Sequence, residues 1–215
     1  MKTEGYSSLI FDCDGVVLNS NRVKTKAFYE AALPYGTGPA QALVDHHVAH
    51  GGVSRYRKFE YFLNQLVPPD AIGPGLEELL DVYARKVREG LIECEADSGL
   101  FELREQTPST SWFIVSGGDQ AELREVFSEK GLDHLFDGGI YGSPDTKDEI
   151  LARELRAGRI VKPALFIGDS RYDHEASVSA GLDFLFVNQW TEFAGWESYC
   201  DKHNVEFVVS LGDLL

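Results

Sequence analysis

The chain has 215 residues, of which 43% are hydrophobic and 26% are charged, a composition typical of one globular domain or of one domain carrying an insertion. The formal net charge of −15 argues against nucleic acid as a partner, because binding a phosphate backbone needs a basic surface; small phosphorylated ligands remain possible beside a local cation. No segment approaches the roughly 18 consecutive apolar residues of a membrane helix, and the N-terminal residues lack the apolar region of a secretory signal.

The first half of the chain predicts one strand followed only by helices. A short apolar run at residues 9–11 is typical of a buried strand. Beyond it the apolar residues recur with helical spacing, interrupted by proline or glycine near residues 34–39, 51–52 and 68–69. The predicted helices are residues 21–33, 40–50, 56–66 and 75–93.

From residue 100 onwards, predicted strands alternate with predicted helices. The strands are residues 111–116, 139–142, 164–167, 184–187 and 205–209, and the helices are residues 100–105, 119–130, 147–156 and 173–180. Such alternation indicates a parallel sheet with helices on both faces. We therefore expect an α/β fold, a Rossmann-like doubly wound parallel sheet formed by residues 1–17 and 95–215, with residues 18–94 inserted as an all-helical cap domain.

Two aspartates end the first predicted strand. Asp12 and Asp14 are separated by one residue and followed by Gly15, which permits a sharp turn. Because side chains alternate along an extended chain, both carboxylates project roughly the same way. They repel each other unless a cation neutralises them or one of them holds a proton. This strand end is therefore a candidate reaction site.

Polar residues also end two later strands. Ser116 and Gly117 follow one strand, Asp169 and Asp173 follow another, and Lys147 begins a helix between them. Ligands of parallel α/β sheets collect at the carboxyl ends of the strands, so these side chains are expected to converge. Carboxylate oxygens suit Mg²⁺, and a hydroxyl with a lysine suits phosphate oxygens. The combination indicates magnesium-assisted phosphoryl transfer.

These motifs resemble those of the haloacid dehalogenase-like superfamily, in the branch of phosphoglycolate phosphatase and β-phosphoglucomutase. The resemblance rests on four motifs in order: D-x-D-G at residues 12–15, a strand ending in Ser116-Gly117, the helix-leading Lys147, and G-D-x-x-x-D at residues 168–173. It covers nearly the whole chain, including a helical cap after the first motif.

The resemblance implies a role for each motif residue. Asp12 would be the nucleophile and a magnesium ligand, and Asp14 the general acid and base, touching the metal only through its backbone carbonyl. Ser116 and the Gly117 amide would bind the transferring phosphoryl group, whose charge Lys147 would stabilise. The remaining metal ligands would be Asp169 and Asp173. Dehalogenases of this superfamily lack the second aspartate of the first motif, so Asp14 favours phosphoryl chemistry.

Two features of the predicted cap leave alternatives open. Arg55 lies in a segment similar to the loop with which phosphomutases of this branch reach over their substrate, so it could bind a second phosphate or a carboxylate; a solvated arginine at a helix start is equally compatible, and Arg57 or Lys58 could serve instead. The cluster Asp45, His46, His47 and His50 could suggest zinc, but packing in the cap is the better interpretation, because no cysteine joins it.

The sequence as a whole predicts a magnesium-dependent phosphatase. It would hydrolyse a small phosphorylated metabolite, such as a sugar phosphate or a phosphoglycolate-like acid, through an aspartyl-phosphate. The alternatives are a phosphomutase, a signalling module that carries phospho-aspartate, and an inactive scaffold. The three widely spaced cysteines, Cys13, Cys94 and Cys200, indicate free thiols and a cytoplasmic setting. We expect no membrane association, and a monomer or a homodimer.

Overall fold

A computed structural model describes residues 3–215 as a six-stranded parallel sheet with helices on both faces. The strands lie in the order β3-β2-β1-β4-β5-β6. They are β1 (Ser8–Phe11), β2 (Ser111–Asp119), β3 (Gly139–Ser143), β4 (Ala164–Gly168), β5 (Asp183–Val187) and β6 (Phe207–Val208). The predicted α/β doubly wound fold is confirmed.

Nine α-helices are present among the described residues. They are α1 (Asn21–Ala32), α2 (Thr37–Ala49), α3 (Arg55–Tyr61), α4 (Leu76–Glu93), α5 (Leu100–Gln106), α6 (Gln120–Glu129), α7 (Lys147–Arg156), α8 (Arg171–Ala180) and α9 (Trp196–His203). A π-helical turn, Phe62–Leu66, continues α3. The sequence did not predict α9, and it placed the end of β2 three residues too early. None of these helices within residues 3–215 is long and apolar enough to cross a membrane.

The central strand β1 is buried on both faces of the sheet. Leu9 and Phe11 point into a cluster with side chains of α5 and α6, whereas Ile10 points into a second cluster with α7 and α8. On its edges β1 pairs with β2 and β4, so that Phe11 is aligned with both Ile114 and Ile167. The carboxyl ends of three strands therefore meet at the middle of the sheet.

Helices α1 to α4 form the insertion between β1 and α5, and its two connecting segments run side by side. Leu18 forms an antiparallel bridge with Ala96, and the amide of Asn19 donates a hydrogen bond of 3.0 Å to the carbonyl of Glu95. The same hydrophobic cluster contains Phe28 of the insertion and Trp112 of the sheet. The insertion is thus packed against the sheet, and its independence as a domain spanning residues 18–94 stays a prediction.

Candidate active site

Asp12 and Asp14 lie just beyond the end of β1. The amide of Asp12 donates a hydrogen bond of 2.9 Å to the carbonyl of Ile167, which extends the pairing with β4 by one residue. The turn that follows requires Gly15, whose φ is +76°; a Cβ at this position would lie 2.1 Å from Oδ2 of Asp169. Glycine therefore allows the first and last motifs to approach each other.

Asp12 shares a buried lysine with Asp173. The Lys147 side chain is 1% exposed; its ammonium lies 2.9 Å from Oδ1 of Asp12 and also pairs with Asp173. Burial would lower the pKa of Lys147, but the two carboxylates outweigh burial and raise it. Lys147 therefore remains protonated at the carboxyl edge of the sheet, as its predicted role of charge stabilisation requires.

Three carboxylates, those of Asp12, Asp169 and Asp173, gather at this edge. They offer ligand atoms within 4.8 Å of one another, and all three residues are buried. Burial raises the pKa of Asp12 to about 7 against the attraction of Lys147, and burial together with the other two carboxylates raises the pKa of Asp169 well above its usual range. One lysine does not neutralise this group.

The donor set fits a hard divalent cation. Oδ1 of Asp12 is buried and has no hydrogen bond of good geometry; its one ion-pair partner among the described residues is the Lys147 ammonium, which it shares with Asp173. All the clustered donors are carboxylate oxygens, which suit Mg²⁺ better than softer metals. Both oxygens of Asp173 already have partners, since Lys147 contacts Oδ1 and Ser170 donates to Oδ2. Asp12 and Asp169 are therefore the better placed ligands, and the identity of the metal is proposed below.

Asp14 has partners of its own, both from the start of the insertion. The hydroxyl of Ser20 donates a hydrogen bond of 2.6 Å to Oδ1, and the buried ammonium of Lys24 pairs with Oδ2. Burial alone would raise the pKa of Asp14, but Lys24 and Ser20 hold it below its usual value. Asp14 is therefore ionised in this conformation, and its own ion pair is with Lys24 rather than with Lys147.

Ser116 and Gly117 lie in the last part of β2. Ser116 is fully buried, and its hydroxyl accepts a hydrogen bond of 3.1 Å from the amide of Gly118. No described residue accepts the Ser116 hydroxyl proton. Gly117 lines the cavity next to the aspartates. Their predicted role in binding phosphate stays a prediction.

The loop before α3 closes over this edge of the sheet. A Cβ on Gly117 would lie only 2.1 Å from the carbonyl oxygen of Gly52, and a Cβ on Gly52 would lie 3.5 Å from the ammonium of Lys147. The cavity below the insertion has a volume of about 320 Å³ and is lined by both aspartates of the first motif, Asp169, and residues of α1 to α4. The structure therefore has the insertion closed over the candidate site.

Arg55 lines the same cavity but is occupied by a carboxylate. Its guanidinium makes a bidentate ion pair with Glu122 of α6, with 3.1 Å between one nitrogen and Oε2, and it lies 4.7 Å from the centre of the Tyr83 ring. These contacts join the insertion to the sheet domain. Substrate binding by Arg55 stays a prediction and requires exchange of this partner.

The histidines of α2 have separate contacts. His46 stacks on Tyr61 with 4.0 Å between ring centres, Nδ1 of His50 lies 2.8 Å from the carbonyl of His46, and Nδ1 of His47 lies 2.7 Å from the ammonium of Lys58. In residues 3–215 the only group of three or more clustered metal-ligand side chains is the aspartate group. The contacts of these histidines are therefore ring stacking and hydrogen bonds, and their role stays a prediction.

Several residues of the site were not predicted from the sequence. Asn21 donates a hydrogen bond of 2.7 Å to Asp169. Lys24 neutralises Asp14, and Glu122 neutralises Arg55. Lys24 gives a usable signal, because it lies on the buried stripe of α1 together with Ala27 and Phe28, where a charge needs a partner. Asn21 and Glu122 give no such signal, since their partners lie about 150 and 70 positions away in sequence.

Comparison with known proteins identifies the family. Residues 9–187 match the haloacid dehalogenase-like hydrolases; no curated protein matches the chain in sequence. Among solved structures, a Lactobacillus plantarum protein proposed to be a phosphoglycolate phosphatase is 21% identical with a TM-score of 0.71, covering 100% of this chain and 98% of that one.

Two further structures extend the comparison. CbbY from Rhodobacter sphaeroides in complex with phosphate is 16% identical with a TM-score of 0.69, covering 97% and 96% of the two chains. A phosphonoacetaldehyde hydrolase-like protein from Oleispira antarctica is 13% identical with a TM-score of 0.76, covering 100% and 91%. At these identities the structures establish a shared fold, and the family match, over most of the chain, confirms the resemblance and the enzyme class inferred from the motifs. The chain belongs to the haloacid dehalogenase-like hydrolases.

Proposed function

We propose that the protein is a magnesium-dependent phosphatase of small phosphorylated metabolites. The observation that carries this proposal is the buried Asp12 beside the buried Lys147 at the carboxyl edge of the sheet, with 2.9 Å between Oδ1 and the ammonium and no other partner for Oδ1 among the described residues. A carboxylate with so few hydrogen-bond donors is a better nucleophile than a fully bonded one, and the adjacent ammonium attracts a phosphate dianion.

Asp12 would attack the phosphorus of the substrate. A bond forms between a carboxylate oxygen and phosphorus while the ester oxygen leaves, which produces an aspartyl-phosphate and an alcohol. Lys147, with the Ser116 hydroxyl and the Gly117 amide, would stabilise the negative charge on the transferring group. The loop at Gly52 would exclude bulk water during this step.

Asp14 would manage the protons. Because its carboxylate is ionised, it can take a proton from the water that attacks phosphorus while the bond between phosphorus and Asp12 breaks, although the ion pair with Lys24 lowers its basicity. Delivery of a proton to the leaving alcohol in the first step requires Asp14 to be protonated, hence a weaker contact with Lys24 than in this closed form. In this conformation Asp14 can therefore act as the base of the hydrolytic half-reaction. To act as the acid of the first half-reaction, it needs α1 to move so that Lys24 no longer holds it ionised.

Asp12 and Asp169 would hold Mg²⁺ with their side chains, Asp173 directly or through water, and Asp14 through its backbone carbonyl. When bound, the ion would neutralise the excess carboxylate charge and polarise the phosphoryl group. Three free cysteines, two of them buried, accord with a reducing cytoplasmic setting, which we retain as part of the proposal together with a monomer or homodimer.

The proposal is tested by phosphate release from p-nitrophenyl phosphate and from a panel of phosphorylated metabolites. We expect Mg²⁺-dependent release that EDTA abolishes, and a loss of at least about 1,000-fold in the variant Asp12→Asn, because a nucleophile cannot be replaced by its neighbours. The exposed Asp70→Asn is the matched control and should turn over normally. Normal turnover by Asp12→Asn would exclude Asp12 as the nucleophile.

The same assays separate the rival functions. With a sugar 1-phosphate as substrate, a phosphomutase would accumulate an isomeric sugar phosphate, whereas the phosphatase releases phosphate. A signalling module would yield a long-lived phosphoprotein without turnover, and an inactive scaffold would do neither. The large helical insertion argues against a signalling receiver, and the presence of every motif side chain argues against an inactive scaffold.

A further inference from the structure

The cavity beneath the insertion is lined by four lysine or arginine side chains. Three of them each pair with a carboxylate: Lys24 with Asp14, Arg55 with Glu122, and Arg171 with Glu175. Lys58 of α3 is the fourth. In residues 3–215 no carboxylate oxygen lies within 4.0 Å of the Lys58 ammonium. Lys58 is therefore the one lysine or arginine side chain of this cavity, among the described residues, that has no ion pair.

Lys58 is buried and held in a defined position. The residue is 2% exposed, its Nζ lies 2.7 Å from Nδ1 of His47, and it lies 5.6 Å from the centre of the Phe28 ring. Burial keeps the pKa of His47 well below its usual value, so His47 is neutral and its Nδ1 accepts a hydrogen bond from the ammonium. His47 therefore orients Lys58 without neutralising it, and two further ammonium hydrogens remain to be donated.

The charge state of Lys58 depends on what else occupies the cavity. Burial, followed by the repulsion from Lys24, lowers the pKa of Lys58 to about 7. The charged and titratable groups that face it are Lys24 of α1, Asp12 and Asp14 beyond β1, His47 of α2 and Lys147 of α7. A buried amine in this state takes up a proton when an anion binds beside it, because the anion favours the ammonium form.

We propose that Lys58, oriented by His47, binds a carboxylate at the end of the substrate remote from the scissile phosphate. The substrate class is thus a small phosphorylated hydroxy acid, an inference that rests on the phosphatase function proposed above. One positive charge matches a carboxylate, whereas a second phosphate would bring a dianion into a cavity that already holds Asp12 and Asp14. A cavity of about 320 Å³ is of the size that accommodates such a molecule.

Two substrates that differ only at the remote end test this proposal. The probes are 2-phosphoglycolate and 2-hydroxyethyl phosphate, and the readout is the ratio of their kcat/KM values. Wild type should prefer the acid, and Lys58→Met should lower the acid-to-alcohol ratio by about 10- to 100-fold, as for loss of a hydrogen bond to a charged group. The exposed Lys26→Met on α1 is the matched control, for which the ratio should stay at the wild-type value.

The pH dependence of the same ratio gives a readout that a purely structural role would not produce. Titrations of Asp12 and Asp14 affect both substrates and cancel in the ratio. Above pH 7 the free enzyme loses the Lys58 proton, so the acid-to-alcohol ratio of kcat/KM should fall. Well above pH 7 the decrease should approach about tenfold per pH unit. Lys58→Arg should remove this dependence, because arginine stays protonated.

The outcomes distinguish the two levels of the proposal. No release of phosphate by wild type from p-nitrophenyl phosphate, which has no carboxylate, overturns the phosphatase function itself. The carboxylate subsite alone is overturned if phosphate is released but the acid-to-alcohol ratio of kcat/KM is the same in wild type and Lys58→Met. A stronger preference for a sugar bisphosphate than for the acid has the same meaning. If Lys58→Met does not fold, a ratio that is independent of pH in wild type overturns the subsite equally.

Discussion

The buried carboxylates at the end of β1 carry more negative charge than the surrounding residues neutralise. Asp12 and Asp173 share the single ammonium of Lys147, Asp169 joins their cluster without an ion pair to it, and burial raises the pKa of Asp12 to about 7. An aspartate in the unfolded chain has a pKa of about 3.9. Above pH 7 Asp12 is ionised in both states, so its burial costs folding free energy there, and this cost disappears as the pH falls towards 4.

Replacing Asp12 with asparagine should therefore stabilise the metal-free protein. Three pKa units correspond to about 4 kcal/mol; because Lys147 also loses a partner, we expect a gain of about 1–4 kcal/mol in the free energy of unfolding at pH 8. The gain should shrink as the pH is lowered to 5. It is measured by urea unfolding of both proteins in EDTA.

Magnesium should reverse the sign of this difference, because an ion that binds the folded protein stabilises it and the variant lacks the ligand. This measurement tests the metal site without using activity. Lower stability of Asp12→Asn in EDTA at pH 8 would mean that the pair with Lys147 outweighs the cost of burial. Equal stabilisation of both proteins by Mg²⁺ would exclude Asp12 as a ligand.

Residues with a local signature were predictable, and residues defined by a distant partner were not. Asp12, Asp14, Lys147 and Asp169 stand at strand or helix ends, where the rule that ligands collect at the carboxyl edge applies directly. Arg55 was the expected anion-binding residue of the cap, yet Glu122 of α6 already neutralises it. No pattern near Arg55 announces that pairing, since it depends on how the insertion packs on the sheet.

At the scale of elements, the loop before α3 is held against β2 by two glycines. The carbonyl of Gly52 occupies the place that a Cβ on Gly117 would take, at 2.1 Å. The obstructing atom belongs to the backbone, so the loop itself must move if residue 117 gains a side chain. Closure of the insertion over the aspartates therefore depends on a glycine that the sequence suggested only as a phosphate-binding position.

The variant Gly117→Ala should hold the insertion partly open. It keeps the amide at residue 117, so phosphate binding by the backbone is retained while the loop is displaced. If the reacting groups are misaligned by about 1 Å, kcat/KM should fall by about 100-fold. Hydrogen exchange of the amides of residues 51–54 should also become faster, because the loop is less firmly held. The control is Gly38→Ala in α2, where an added Cβ meets no atom within 4 Å.

A fall in activity of Gly117→Ala with unchanged exchange at residues 51–54 would contradict this account, because the defect would then lie in phosphate binding. Unchanged activity together with faster exchange would mean that closure is not needed for turnover.

The elements themselves differ in how strongly the sequence specifies them. The long helix α4 was predicted to within one residue, since its apolar stripe repeats over 18 residues. In contrast, α9 spans eight residues, of which only Cys200 is buried, and so short a helix with one buried position shows no clear period. The extension of β2 to Asp119 runs through an irregular register with β3 between Val115 and Asp119, which two glycines permit and periodicity cannot reveal.

For the whole molecule, the insertion is joined to the sheet by two adjacent segments and a shared core. Leu18 pairs with Ala96, so both connections enter and leave at one point, as expected for a unit that moves about a hinge. Against free movement, Phe28 and Trp112 belong to one hydrophobic cluster, and Arg55 is tied to Glu122. Opening must then break the ion pair and part of this packing, whereas the connections can stay paired.

Deleting residues 19–95 and joining Leu18 to Ala96 through two or three glycine and serine residues tests whether the insertion is a separate domain. All six strands and α5 to α9 remain, so we expect a cooperative thermal transition that Mg²⁺ shifts upwards. Phosphate release from p-nitrophenyl phosphate should persist at a reduced rate, because the motif residues all remain. The preference for 2-phosphoglycolate over 2-hydroxyethyl phosphate should vanish with Lys58.

The control for this deletion is the full chain with the same linker inserted after the exposed Asp70, which lengthens a loop without removing a contact. A cooperative transition in the control and none in the deleted chain would show that the shared cluster makes residues 18–94 part of a single folding unit. Retention of the acid preference by the deleted chain would instead place substrate discrimination in the sheet domain, where Arg171 at the start of α8 is the remaining cation of the cavity.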